Sequence, residues 1–254
     1  MNPFPPLDTH AHIDVNIDPR ELLATRAVIL VATRSLAEYG ATLGRSDPLA
    51  IWGVGVHPGV RSAVEAFDSD SLRTHLRRSV LLSEVGLDRR SAVALVDQKR
   101  VFASALAIHD EASCIASVHS AGRTREVLEM LNGHRCETIV LHWWRGSPDE
   151  TRSAVELGCY FSFNPRDDRP GSVLDLVPAE RRLTETDHPY GDADHVGSRP
   201  GSIDAVEQRM TGAGPAAVRR QIWSNFRQLI DNAGAMEKLP GKIAGLVSLV
   251  ERNS

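Results

Sequence analysis

Lysine is almost absent from this chain of 254 residues. Only Lys99, Lys238 and Lys242 occur, so nearly all of its 29 basic residues are arginines. Cysteine is scarce too. Cys114, Cys136 and Cys159 are odd in number and lack metal-site spacing, which fits buried thiols in a reducing, cytoplasmic setting. No segment approaches the roughly 20 apolar residues of a membrane span, and MNPFPPLD lacks the apolar stretch of a secretory leader, so no membrane association is expected. A basic excess is missing as well. With 29 Lys+Arg against 33 Asp+Glu the net charge is −4, which excludes a uniformly cationic nucleic-acid face and leaves only local anion binding.

What remains is ordinary globular material: 42% hydrophobic and 24% charged residues, enough to bury a sizeable core. The length suits one eight-fold barrel, so a single domain over 1–254 is expected. Apolar, β-branched runs occur at 8–14, 27–33, 51–57, 81–86, 114–119, 138–143, 159–163 and 182–187. Helix starts separate them. Asp18-Pro19-Arg20-Glu21 and Ser147-Pro148-Asp149-Glu150 combine a cap, a proline and a glutamate, while Ser35-Leu36-Ala37-Glu38 and Ser62-Ala63-Val64-Glu65 repeat the cap without proline. The longest pattern, 91–113, carries Leu95, Phe102, Leu106 and His109 on one face, widened by Val101, Ala105 and Ile108. Further helical patterns at 203–212, 215–231 and 240–251 would pack the last helices and seal the barrel. Unbroken strand–helix alternation predicts a distorted α/β TIM barrel, (β/α)8, with function at the C-terminal strand ends.

Metal-ligand side chains recur at those ends. His10 and His12 in DTHAH, Glu84 in LLSEVGLD, His119 in ASVHS, His142 in VLHWW and Asp187 in LTETDHP each close an apolar run, with His57 of GVGVHP beside them. Two residues apart on a strand, His10 and His12 face the same way about 6.6 Å apart along the chain, within reach of one cation. Six ligands exceed what one catalytic zinc usually takes, so two divalent ions (Zn, Mg or Mn) are the simpler assignment. Glu84 is the natural bridge, because none of the three lysines lies at a strand end to serve as a carboxylated-lysine bridge. Water acidified by the pair would be the nucleophile, with Asp187 as a ligand able to accept a proton. His75, His109 and His134 have no partner pattern and read as structural.

The motifs DTHAH, GVHP, SEVGLD, VHS, LHWWRG and LTETDHP, running from residue 8 to about 190, resemble the TatD family of metal-dependent deoxyribonucleases, within the amidohydrolase-type barrels. That resemblance implies one ion on His10, His12, Glu84 and Asp187 and a second on Glu84, His119 and His142. A narrower similarity, in SVHS, LHWWRGS, LGCYFSFNP and LTETDHP, is to the TatD-type proteins of Qat anti-phage operons, and implies partners among other Qat defence proteins. The chain departs from the family where Ala121 stands in place of an arginine, where Trp143 and Trp144 follow His142, and where His188 replaces a small residue.

Arginines just past several runs (Arg89, Arg90, Arg123, Arg145, Arg166, Arg169) suit phosphate, or simply start helices in solvent. Substrate candidates are His57, Arg123, Trp144, Arg145, Glu185 and His188. His57 either touches phosphate or stabilises its Pro58-Gly59 turn. By strand alternation Trp144 shares the facing of His142 and could stack a base, whereas Trp143 would pack outward; core packing is the alternative for both. Glu185 shares the facing of Asp187 and would support the site or form a buried ion pair. The connection 190–202 is the longest turn-rich segment and follows the last strand. Hydrolysis of DNA or RNA phosphodiesters at single-stranded ends is the expected activity; a small-molecule amide or ester hydrolase and a non-catalytic binding subunit are the alternatives.

Overall fold

Eight β-rich runs bounded by turn residues become eight strands. In a computed structural model describing residues 4–166, 173–190, 199–210 and 214–250, they are β1 (Leu7–Ala11), β2 (Val28–Ala32), β3 (Ala50–Gly55), β4 (Leu81–Gly86), β5 (Ile115–His119), β6 (Ile139–Leu141), β7 (Tyr160–Phe163) and β8 (Arg182–Thr184). All adjacent pairs are parallel and the spatial order follows the chain. Helices α1 (Pro19–Ala24), α2 (Leu36–Gly40), α3 (Arg61–Glu65), α4 (Ser69–Leu76), α5 (Leu95–Glu111), α6 (Thr124–Leu131) and α7 (Pro148–Glu156) fill the crossovers, followed after β8 by α8 (Asp204–Arg209), α9 (Pro215–Ala233) and α10 (Gly241–Ser248). The expected (β/α)8 barrel is what forms.

The seam between β8 and β1 is closed differently from the rest. Asp187 N–H donates to the His10 carbonyl at 2.8 Å and His12 N–H to the His188 carbonyl at 2.7 Å. Thr9 Oγ1 donates to the Thr184 carbonyl and Thr184 Oγ1 to the Leu7 carbonyl, at 3.0 and 2.5 Å. Buried Asp8 then accepts from Thr186 N, Thr186 Oγ1 and Gly201 N, which holds the segment after β8 against β1.

Cap chemistry follows the sequence in three of four places. Ser147 and Glu150 form the full capping box, Asp18 accepts from Arg20 N, and Ser35 accepts from Glu38 N. Ser62 does not cap: α3 starts at Arg61, because Val60 N–H bonds to the His57 carbonyl and turns the chain one residue earlier. On α5 the buried face is as expected except that Leu95, at its first turn, is only partly buried and Gln98 joins the face; the Gln98 Oε1 accepts from Asp88 N and its Nε2 reaches the Val93 carbonyl.

The two ends of the barrel are packed in opposite ways. Below, strand-start residues such as Leu7, Val28, Leu49, Ile115 and Leu183 share one apolar cluster with Val218, Ile222, Trp223, Phe226 and Ile230 of α9. Trp223 stacks on Phe4 with centroids 5.4 Å apart, and its Nε1 donates to the Pro5 carbonyl. Above, the strands end in polar side chains. The three cysteines are buried and free.

Candidate metal centre and its surroundings

The strands stop earlier than their apolar runs. β1, β3, β6 and β8 end at Ala11, Gly55, Leu141 and Thr184, so His12, His57, His142 and Asp187 stand just past the strand ends. The bend is visible in the dihedrals: Glu84, Trp143 and Asp187 have φ of 31°, 39° and 48°, a region that costs side-chain-bearing residues energy and persists only where the surroundings enforce it. Pairing register also slips between Asp8 and Ala11 and between Leu82 and Val85, the stretches that carry His10 and Glu84. Gly86, at φ 143°, must be glycine because a Cβ there would sit 2.0 Å from the His119 carbonyl oxygen, where β4 meets β5.

These bends gather the predicted ligands around Glu84, whose two oxygens face different groups. Oε2 lies 3.8 Å from His10 Nε2 and 3.0 Å from His12 Nε2, and Asp187 Oδ1 lies 3.7 and 3.5 Å from the same two nitrogens. Oε1 lies 3.1 Å from His119 Nδ1 and 3.6 Å from His142 Nε2, which are 3.1 Å from each other. Donor atoms around a tetrahedral ion with bonds of about 2.0–2.1 Å stand roughly 3.3 Å apart, so both groups have the span of a cation site. Buried His10 Nε2 and Asp187 Oδ1 have no hydrogen-bond partner among the described residues, which bare ligand atoms require. The donor set fits divalent cations.

Outer contacts fix which nitrogen points inward. His12 Nδ1 donates to the Ala32 carbonyl at 2.9 Å and His10 Nδ1 meets Ser117 Oγ at 2.8 Å, leaving each Nε2 for the centre. His119 Nε2 approaches Asp88 Oδ2 at 3.4 Å, which turns its Nδ1 toward Glu84. His57 is wired the other way. Its Nδ1 accepts from Gly59 N–H at 2.8 Å, so in the neutral ring Nε2 carries the proton and donates toward Glu84 Oε1, 3.1 Å away.

Charge is distributed to match. Burial alone would raise Glu84, but His12 and His57 hold it well below the usual carboxylate range. Burial pushes His10 down to about 3 and His142 well below its ordinary value, keeping both neutral. His119 resists burial and rises to about 9 through Asp88 and Glu84. Asp187 is lifted to about 7 by burial and by the charge of Glu84 beside it. A cation between these groups would reverse the last two shifts.

A cavity of about 980 Å³ opens over the cluster, lined among others by Arg34, Asp88, Arg89, Arg90, Trp143, Arg145 and Tyr190. Several expectations change here. Trp144, expected to face the metals, is 1% exposed, packed edge-on to Phe161 with Nε1 donating to Thr151 Oγ1, and it is Trp143 that lines the cavity. The cause is the positive φ at Trp143, which breaks the strand alternation that the sequence reading extrapolated past Leu141. Arg123 does not line the cavity; its Nη1 is held by Glu126 Oε1 at 2.7 Å as α6 begins. Glu185 is wholly buried behind His142 and accepts from Ser162 Oγ, so it supports the centre instead of touching a substrate. His188 acts through its backbone, joining the seam, and does not line the cavity. Arg145 and His57 do line it. Arg169 and most of the 190–202 connection lie outside the described residues.

Four cavity or support residues escaped the sequence reading. Asp88 and Asp8 sit inside motifs already singled out, SEVGLD and DTHAH, and an acid so close to metal ligands was a readable signal. Arg34 and Tyr190 carried none: they meet only in space, where Arg34 Nη1 donates to the Tyr190 hydroxyl at 2.8 Å beside His12.

Known proteins resemble the chain in sequence and in fold. The chain is 29% identical over 147 residues to the 3'-5' ssDNA/RNA exonuclease TatD of Klebsiella pneumoniae, a match spanning 54% of this chain and 56% of that protein. With the Escherichia fergusonii protein of the same name it shares 28% over 190 residues, 67% of this chain and 73% of the relative. In structure it is similar to a TatD homologue from Escherichia coli K12, with a TM-score of 0.74 at 19% identity over 89% of this chain and 97% of the other. A TatD family hydrolase from Entamoeba histolytica gives 0.69 at 14%, covering 89% and 98%. The sequence profile of the TatD related DNase family matches residues 7–231, and the chain belongs to that family.

Proposed function

We propose that the protein is a divalent-metal-dependent phosphodiester hydrolase that trims single-stranded DNA or RNA from an end. The observation that carries this reading is the juxtaposition of a two-sided carboxylate, Glu84, with a cavity edged by Arg34, Arg89, Arg90 and Arg145. In this reading His10, His12, Glu84 and Asp187 hold one ion and Glu84, His119 and His142 a second. Such ions supply acidified water and polarisation of the phosphoryl group.

The chain's own groups do the rest. The arginines hold the anionic backbone through paired hydrogen bonds, which concentrates positive charge at the mouth of an otherwise acidic protein. His57 presents an Nε2–H donor to an anionic oxygen. Asp88 and Ser117 orient His119 and His10, and Glu185 backs His142. The name of the Klebsiella relative, a 3'-5' ssDNA/RNA exonuclease, supports both substrate and polarity. The narrower resemblance would set this activity in the cytoplasm beside other Qat defence proteins, a placement that phage challenge of cells carrying Glu84→Gln would test.

The deciding experiment gives purified protein Mg²⁺, Mn²⁺ or Zn²⁺ with 5'-labelled and 3'-labelled single strands, duplexes, and a panel of amides and esters, alongside elemental analysis. Stepwise loss from the 3' end of single strands, abolished in Asp187→Asn, is the expected result. Turnover of amides or esters without any cleavage of nucleic acid would replace it with a small-molecule hydrolase.

A further inference from the structure

Trp143 is the only tryptophan-lined edge of the cavity among the described residues, and the backbone bends out of the strand to put it there. Its φ of 39° is costly for an aromatic residue, while its neighbour Trp144 takes the core position the strand would have offered. The indole Nε1 is buried, so the ring offers the cavity carbon surface and not a donated hydrogen bond.

Two guanidinium groups stand over this ring. Arg145 lies 5.6 Å and Arg166 5.9 Å from its centroid, at the outer reach of a cation–π contact, which extends to about 6 Å. Arg166 is held in place from two sides: its N–H donates to Asn164 Oδ1 at 3.0 Å and its Nη1 to the Tyr190 carbonyl at 3.2 Å. An apolar aromatic surface flanked by cations is complementary to a nucleotide, whose base is flat and apolar on its faces and whose phosphates are anionic.

We infer that Trp143, Arg145 and Arg166 form a nucleotide subsite beside the metal centre, in which one unpaired base stacks on Trp143 while the adjoining phosphates meet the two arginines. The inference rests on the phosphodiester reading above and adds which nucleotide unit the protein grips. Because every base has such a face, the subsite favours single strands over duplexes without reading sequence. In a duplex the same base face is already covered by its neighbours.

The test uses the full chain with Mn²⁺ and single-stranded oligonucleotides carrying one abasic residue, moved stepwise from the 3' end. Wild type should lose about 5- to 150-fold in kcat/KM at one position of the abasic residue. Trp143→Ala should show that loss on the intact strand and no further loss on the abasic one, Trp143→Phe should recover most of it, and Arg166→Gln should leave base dependence and metal content unchanged while weakening binding of every strand and reducing its salt dependence. Bound metal and melting temperature of Trp143→Ala matching wild type show that the centre is intact. An abasic penalty equally large in Trp143→Ala and wild type overturns the subsite. If no oligonucleotide is cleaved at all, the hydrolase reading falls, and binding in EDTA decides the subsite separately: equal affinity of wild type and Trp143→Ala for the intact strand would refute it.

Discussion

The two ends of this barrel solve opposite problems with the same eight strands. At the floor, strand starts and α9 bury apolar side chains in regular backbone, with Trp223 fully enclosed. At the mouth, histidines and carboxylates are buried together, and the backbone of Glu84 and Asp187 is pushed into positive φ. Hydrophobic burial stabilises the first, whereas unpaired ligand atoms and strained dihedrals make the second costly until something binds there. The floor therefore supplies the stability that the mouth uses for chemistry.

If that division is real, damage at one end should leave the other intact. Trp223→Ala should cost about 3–5 kcal/mol in urea unfolding while the kcat of the remaining folded protein is unchanged. A parallel drop in kcat would break the comparison. Glu84→Gln should do the reverse, lowering oligonucleotide hydrolysis at least about 100-fold and depleting bound metal, with a smaller shift in unfolding measured in EDTA. Added Mn²⁺ should raise the stability of wild type and of Trp223→Ala alike, by about 2.7 kcal/mol at a hundredfold excess over Kd, and should leave Glu84→Gln nearly unmoved in a thermal melt.

A separate effect concerns a histidine outside the mouth. Burial pushes His109 down to about 4, and its Nε2 meets Thr138 Oγ1 at 3.1 Å. The unfolded chain takes up a proton near pH 6.5 while the native ring stays neutral, so the stability this group contributes is complete above pH 6.5 and is lost as pH falls toward 4. His109→Gln should flatten urea midpoints across that window; an unchanged slope would remove His109 from the account.

The fold and the gathering of histidines and acids at its mouth were legible because both depend on local pattern: apolar runs set the strands, and DTHAH, SEVGLD, VHS and TETDHP mark where they end. What misled was the assumption that period-two alternation continues past the last ladder hydrogen bond. It reversed Trp143 and Trp144. Arg123 failed for a different reason, since Glu126 in the first turn of the helix that follows it captured its guanidinium. Arg34 and Tyr190 were invisible because their contact spans 156 positions in sequence and no periodicity reports such a meeting.

The seam that joins the last strand to the first has a temporal consequence. Asp187 stands opposite His10 on a seam that contacts of Thr9, Thr184 and Asp8 hold together. A nascent chain still lacking its final strand has the histidines but not this carboxylate, and such distant pairings form slowly because long loops must close first. The proposed capacity to cut would therefore wait for the last strand of the barrel.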